Sequence, residues 1–444
     1  MSEAASTSQG PSNLVRGGRL LAIIGCCSLA SVDVVGTLAA AVFVACVVGC
    51  TAILLVLHEV PWRRLLFGLV MPVTYFALLP FSSNPEATFR ATVQLLLTFL
   101  FPIMASRLIN SRAYLSLVGL ALFAALPFHI LLGARWDGWL GLLASKNIFS
   151  FYMSQTLFFS VYFIFAWVGH RRFRAIGFIA LPFAALALVK ANSAGAIITI
   201  TPIIMMFIGW MIIVRAPQSL RIPVIILVFF SALAVSTIVL IEFDSLYTSL
   251  LQAFNKDEGL TGRDYLWIRG RQYIWENPWY GYGYAAFWRQ GNLEAEGLWR
   301  YGHILSRTGF NFHNLYINNL VEVGFVGFSA TMLFLAGTAV LTLRWCLREQ
   351  SPEAAMFFLL TVLTLCRGYV EVDFPREFGF TTFMLSAAFS YSLGSRVLSD
   401  RGYAVSAPAH SPRPSAALAR PAGFGQPAVL RRRPADPDRR PTSA

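Results

Sequence analysis

Apolar stretches of about twenty residues recur along most of this 444-residue chain, each closed by a short polar or basic turn. A helix that is apolar on every face needs a bilayer or a large core around it. With 56% hydrophobic and 13% charged residues, the chain has too little polar surface to cover so many of them in water. The pattern predicts an all-α polytopic membrane protein and excludes a soluble globular fold. About twelve transmembrane helices are expected, over 19–32, 34–57, 62–80, 88–108, 113–133, 147–168, 173–190, 194–214, 221–242, 314–343, 353–371 and 377–396. No signal-peptide cleavage pattern precedes the first stretch, so the first helix is expected to remain as an anchor.

Arginines in the turns give the orientation. Arg16 and Arg19, Arg63 and Arg64, Arg107 and Arg112, "HRRFR" at 170–174, Arg215 and Arg221, Arg344 and Arg348, and Arg396 and Arg401 all fall on one side of such a bundle. That side is expected to be cytoplasmic and to hold both termini, 1–18 and 397–444. Spans one to nine then fill 19–242 and spans ten to twelve fill 314–396. The long segment 243–313 between spans nine and ten falls on the opposite side. It is too long for a plain connection and should form a small subdomain that carries function. The tail from 397 is rich in Pro, Ala and Arg and too poor in apolar residues to fold. Its arginines supply much of the net charge of +13. They suit a cytoplasmic lipid surface or plain solvation, and do not argue for nucleic acid. The six cysteines, Cys26, Cys27, Cys46, Cys50, Cys346 and Cys366, lie in or beside apolar spans without zinc-site spacing. They read as small hydrophobes, and no metal is expected.

The most informative stretch is the long loop, where 261–288 reads "TGRDYLWIRGRQYIWENPWYGYGYAAFW". Thr261 with Asp264 has the form of a capping box, so a helix is expected to begin there and end before Pro278. Arg263, Trp267, Arg271 and Trp275 would then share one face. A cation in the first helical turn is unfavourable unless an anion comes to it. Arg263 is thus read as a phosphate clamp, as a salt-bridge partner of Asp257 or Glu258, or as a simply solvated cation. "GYGYAAF" lacks the strand and third glycine of a dinucleotide site and reads as a tight aromatic turn on the membrane surface.

The segment "HNLYINNLVEVGFVG", 313–327, enters the next apolar run. As one helix it would place His313, Leu320, Gly324 and Gly327 on a common face, the glycines admitting a close neighbour. A neutral His313 at such a helix start is either a base or a hydrogen-bonding interfacial residue. Asn318 and Glu322, inside the apolar run, should face protein or water. Lys146 and Asn147, Lys190, and the run Arg367, Glu371, Asp373, Arg376 and Glu377 would ring the loop at the outer headgroup level, the depth of a lipid pyrophosphate.

With these residues in view, the chain resembles the O-antigen ligase and Wzy-type polymerase superfamily of bacterial inner-membrane glycosyltransferases. His313, Asn314, Gly324 and Gly327 match its His-Asn…Gly…Gly signature. "TGRDYLW", "NPWYGYGYAAFW" and "SKN" at 145–147 look most like the exopolysaccharide branch, the succinoglycan-type polymerases. The resemblance implies a metal-independent, inverting glycan transfer without cofactor. The donor would be an undecaprenyl-pyrophosphate-linked oligosaccharide at the periplasmic face of the inner membrane. The acceptor would be another glycan repeat in a polymerase, or lipid A-core in a ligase. Protein partners would be those that set chain length or export the product. The resemblance makes Arg263 the loop arginine on the pyrophosphate and His313 the group that activates the acceptor hydroxyl. Arg271, Lys190, Lys146, Asn147, Asn314, Glu322, Arg367 and Arg376 are expected to bind pyrophosphate or substrate around them. Two positions depart from the pattern: Trp267 stands where many ligases have Leu, and Ser193-Ala194-Gly195 where many members have Ser-Arg-Gly. The second departure removes a cation that Lys190 can replace only without arginine's bidentate fork. These departures weaken a ligase more than a polymerase. A secondary transporter or flippase, or a non-catalytic assembly scaffold, are the alternatives. A transporter would be expected to show the internal repeat that this chain lacks.

Overall fold

The computed structural model describes residues 9–133, 139–143, 145–220, 222–223, 263–307, 310–394, 397–398 and 404–405. The expected span 221–242 lies outside these residues apart from 222–223, as do Asp257, Glu258, Thr261 and the tail beyond 405. The first helices are α1 (Gln9–Ala30), α2 (Val32–Val35), α3 (Thr37–Val56), α4 (Trp62–Gly68) and α5 (Val70–Ala77). Next come α6 (Pro85–Leu108), α7 (Ser111–Gly133), α8 (Lys146–Ala166), α9 (Arg171–Lys190) and α10 (Ala194–Arg215). The loop contributes α11 (Arg263–Glu276) and α12 (Leu293–Tyr301), followed by α13 (Leu315–Glu349), α14 (Pro352–Arg367) and α15 (Phe380–Ser392). Among the described residues, eight helices, α1, α3, α6 to α10 and α13, are long and apolar enough to cross a membrane. The chain is therefore a polytopic membrane protein.

Three segments read as spans are shorter or interrupted. The 62–80 stretch breaks at Leu69 into α4 and α5, a turn that a hydropathy average does not register. Helices α14 and α15 have 16 and 13 residues. Helix α15 is buried along its whole length, packed against α6, α13 and α14, so neighbouring helices surround it. Capping residues set several helix starts. Asn84, Ser145 and Ser351 accept hydrogen bonds from the amides of Ala87, Ile148 and Ala354, satisfying donors that a helix start leaves open. Thr331, Thr338, Thr342 and Thr361 return their hydroxyls to the carbonyl four residues earlier, which lets them lie buried.

The two ends of the bundle differ. At one, Arg19 donates to the carbonyls of Leu108 and Leu398, Arg64 to the Ser106 hydroxyl and the Gly394 carbonyl, Arg107 pairs with Glu59, and Arg112 pairs with Glu353. Leu398 belongs to a two-residue antiparallel pair, β1 (Val397–Leu398) with β2 (Ala404–Val405), just inside the stretch read as tail. The other end gathers the short connections: Trp139 N–H donates to Lys190 O at 3.2 Å and Ser83 N–H to Tyr282 O at 2.8 Å.

Helix α13 departs most from expectation. It is not one helix from His313: Gly324 holds φ 60 and ψ −168, and the helix breaks there. An unbroken helix would bond the amides of Phe325 and Val326 to the carbonyls of Val321 and Glu322. Instead those amides donate to Pro278 O (2.7 Å) and Trp279 O (3.1 Å). The freed carbonyls of Val321 and Glu322 accept from Tyr282 N–H (2.9 Å) and Gly283 N–H (2.7 Å). The turn after α11 thus caps both faces of the break, and these two amides and two carbonyls stay satisfied, as a low-dielectric setting demands. The glycines follow from this. A Cβ on Gly324 would lie 2.4 Å from Trp279 C, and one on Gly281 2.5 Å from Glu322 C. The Gly281–Gly283 turn therefore does not rest on a membrane surface but is plugged into α13, with Tyr284 and Phe287 buried behind it. Nor is Gly327 chiefly a seat for a neighbour: a Cβ there would first meet Val323 of its own helix, at 2.4 Å.

Candidate active site

A polar cleft of about 370 Å³ opens among the α8 start, the Tyr284–Arg289 turn, the lead-in to α13 and the connection between α14 and α15. His313 lies on its wall in a left-handed conformation, φ 48, outside the helix. Asn311 Oδ1 accepts its backbone N–H at 2.7 Å, and Asn314 behind it caps α13, accepting from the amides of Tyr316 and Ile317 at 3.0 Å each. The His-Asn pair is therefore a turn followed by a cap, which aims the imidazole away from the helix.

Glu371 joins the elements of the site. One carboxylate oxygen lies 3.2 Å from His313 Nδ1. The other accepts from Arg263 at 3.0 Å and from Asn147 Nδ2 at 3.0 Å. Arg263 also donates to Val370 O at 2.9 Å. Three segments remote in sequence, α11, the start of α8 and the lead-in to α13, thus converge on one carboxylate. Burial would raise the Glu371 pKa, but the hydrogen bond and charge of His313, with Arg367 and Arg263, outweigh it and hold the carboxyl below its usual range. Around it, Arg367 pairs with Asp373 and Arg376 with Asp33, which also accepts from Tyr152. Burial pushes the Asp373 carboxyl up despite Arg367 beside it.

The residues singled out from sequence divide clearly. His313, Asn147, Glu322, Arg367 and Arg376 line the cleft. Arg263 stands behind Glu371, and its salt bridge is to that residue. Asn314 is buried and braces the turn, its Nδ2 donating to Tyr369 O at 3.2 Å. Arg271, Lys146 and Lys190 are exposed, with side chains off the cleft wall. Helix rotation, which periodicity alone does not fix, points them away from it. Trp267 keeps the expected face, donating to Phe312 O at 2.9 Å, whereas Trp275 is exposed. Sequence reasoning missed Arg289, Trp288 and Asp33 as parts of the site. Their position directly after the "GYGYAAF" turn was the available signal for the first two. Among the described residues no group of three or more His, Cys, Asp or Glu side chains could hold a metal.

With this geometry in place, the likeness to known proteins can be located on it. Residues 178–332 match the Wzy_C family, O-antigen ligase. Over 322 residues the chain is 30% identical to the exopolysaccharide production protein ExoQ of Rhizobium meliloti (strain 1021), across 68% of this chain and 71% of that one. The chain belongs to the O-antigen ligase family. The family match takes in Arg263, the Gly281–Gly283 turn, Arg289 and His313 with its broken helix. It stops before Arg367, Glu371 and Arg376, which reach the same cleft from beyond it.

The low carboxyl of Glu371 gives this family member a defined acid response. A carboxylate held low in the folded state stabilises fully above its unfolded value, 4.5, and loses that contribution as pH falls through the folded one. Glu371→Gln should therefore lower thermal stability by a constant amount from neutral pH down to that range. Below it the gap to wild type should close. Tryptophan fluorescence during unfolding of the detergent-purified protein reads this out. A gap already closing between about pH 7 and pH 5 would mean that the carboxylate is not held by these cations.

Proposed function

We propose that the chain is a membrane glycosyltransferase that polymerises undecaprenyl-pyrophosphate-linked glycan repeats, an exopolysaccharide or O-antigen polymerase, at the periplasmic face of the inner membrane. The observation that carries this is the Glu371 hub, which sets His313 and Asn147 on the wall of a polar cleft with Arg263 held behind. With Nδ1–H donating to Glu371, the Nε2 of His313 is left as an acceptor. It takes the proton as the acceptor hydroxyl attacks the anomeric carbon. The bond from that carbon to the pyrophosphate oxygen breaks on the opposite face, inverting the centre and releasing undecaprenyl pyrophosphate. Most of the rate comes from alignment and from fixed positive charge near the leaving group. Arg263 has five donors and spends two on Val370 and Glu371. Three donors remain, but Arg263 stands off the cleft wall behind Glu371, so contact with a diphosphate in the cleft would come by exchanging that carboxylate for phosphate oxygens.

The same reading keeps twelve crossings, cytoplasmic termini and a basic cytoplasmic tail. The arginine-rich end is cytoplasmic by the positive-inside rule, and the cleft lies at the other. Helix α10 ends away from the cleft and α11 lies beside it. One crossing between them fits this alternation, and 221–242 has the length for it.

Purified protein in liposomes, supplied with synthetic lipid-pyrophosphate-linked repeats and nothing else, should build a ladder of products. A single transfer onto lipid A-core would make the chain a ligase. Glycan crossing the bilayer with no new linkage would make it a transporter and end the polymerase reading.

A further inference from the structure

Three arginines line the cleft, and two of them are committed. Arg367 is buried and paired with Asp373, and Arg376 is paired with Asp33. The third, Arg289, has no ion pair among the described residues. Its Nε donates to Ala285 O at 2.8 Å, within its own turn. That bond fixes the stem of the guanidinium of this exposed, cleft-lining side chain and leaves both terminal nitrogens without a hydrogen bond among the described residues.

The turn beneath Arg289 is held from several sides. Ser83 donates through N–H and hydroxyl to Tyr282 O, each at 2.8 Å, and Thr88 donates to Tyr284 O at 2.9 Å. The Tyr284 hydroxyl donates to Glu377 at 2.9 Å. Trp288, next to Arg289, donates to Asn318 Oδ1 at 3.3 Å and packs edge-on against Phe310. A cation on so fixed a base loses little freedom when an anion arrives. Its planar fork suits two oxygens of one phosphate or carboxylate group.

We infer that Arg289 is the anion-binding residue of the cleft, taking either the diphosphate of a lipid-linked donor or a carboxylate on its sugars. The inference rests on the cleft being the glycan-transfer site. It assigns to Arg289 the charge that Arg263, already neutralised by Glu371, does not present to the cleft.

The test measures binding of two probes to detergent-purified full-length protein: farnesyl diphosphate, and a digalacturonate free of phosphate. Arg289→Ala should weaken one of them by about tenfold or more, with Arg289→Lys intermediate because it keeps charge and loses the fork. Arg300→Ala, an exposed arginine of the same loop that does not line the cleft, should leave both unchanged. Loss confined to farnesyl diphosphate assigns the diphosphate as the ligand, and loss confined to digalacturonate assigns an acidic sugar. Equal binding of both probes by wild type and Arg289→Ala, or no binding of either by wild type, overturns the inference. Failure here is separable from failure of the polymerase reading. Protein that binds farnesyl diphosphate through Arg289 yet never extends a glycan sinks the polymerase alone. Protein that builds polymer while Arg289→Ala binds normally sinks this inference alone.

Discussion

His313→Asn is expected to slow glycan elongation by about 10²–10⁴-fold, the usual worth of one general base, while the protein stays folded. The expectation follows from where the ring sits. It lies on the cleft wall, carries no helix-capping duty, and is oriented by Glu371 at 3.2 Å. Asparagine is the informative replacement. The backbone at His313 is left-handed, φ 48, a region that asparagine tolerates better than alanine. Loss of activity in His313→Asn therefore reports the missing imidazole, not a disturbed turn. Initial rates on lipid-linked repeats, set beside an unchanged gel-filtration profile, give the answer. A rate within a few-fold of wild type would remove His313 from the chemistry.

The second large effect belongs to Gly324. Gly324→Ala puts a side chain into φ 60, ψ −168, a region that is essentially glycine's own, at about 1–3 kcal/mol of backbone strain. It also drives the new Cβ to 2.4 Å from Trp279 C and O, against backbone that cannot swing away. Folded, monodisperse protein should fall steeply, and the residual fraction should make no polymer. Gly337→Ala is the matched control on the same helix, since a Cβ there meets nothing within 4 Å. It should be neutral, because alanine suits a helix better than glycine does. Equal yields of the two variants would mean that α13 runs straight through Gly324.

The helices were legible because a long apolar run needs only composition to be recognised. The caps at Asn84, Ser145 and Ser351 were not singled out from the sequence, although capping is a short-range pattern. The break in α13 was not legible. Its cause is a pairing between the turn at 278–283 and the helix at 321–326, and neither strand of that exchange looks unusual in isolation. The glycines announced that something close-packed occurs, without saying that the neighbour is backbone inserted into the helix itself. The same holds for the site. Glu371 was visible as an acid among cations, but its bond to His313 spans 58 positions and that of Arg376 to Asp33 spans 343. Local spacing carries no trace of such pairs. Lys146, Lys190 and Arg271 stand off the cleft wall for the complementary reason: position along a helix is readable, whereas the direction of one long side chain is set by packing.

The exchanged bonds at Gly324 also bear on how glycan and lipid enter. Swinging the 278–283 segment outward would strand two amides and two carbonyls at once, each worth about 1–3 kcal/mol when left without a partner in an apolar setting. That segment consequently serves as a keystone and not as a door. On the proposed function, substrates would reach the cleft without that segment moving, and an inhibitor would do better wedged in the cleft than clasped to the keystone.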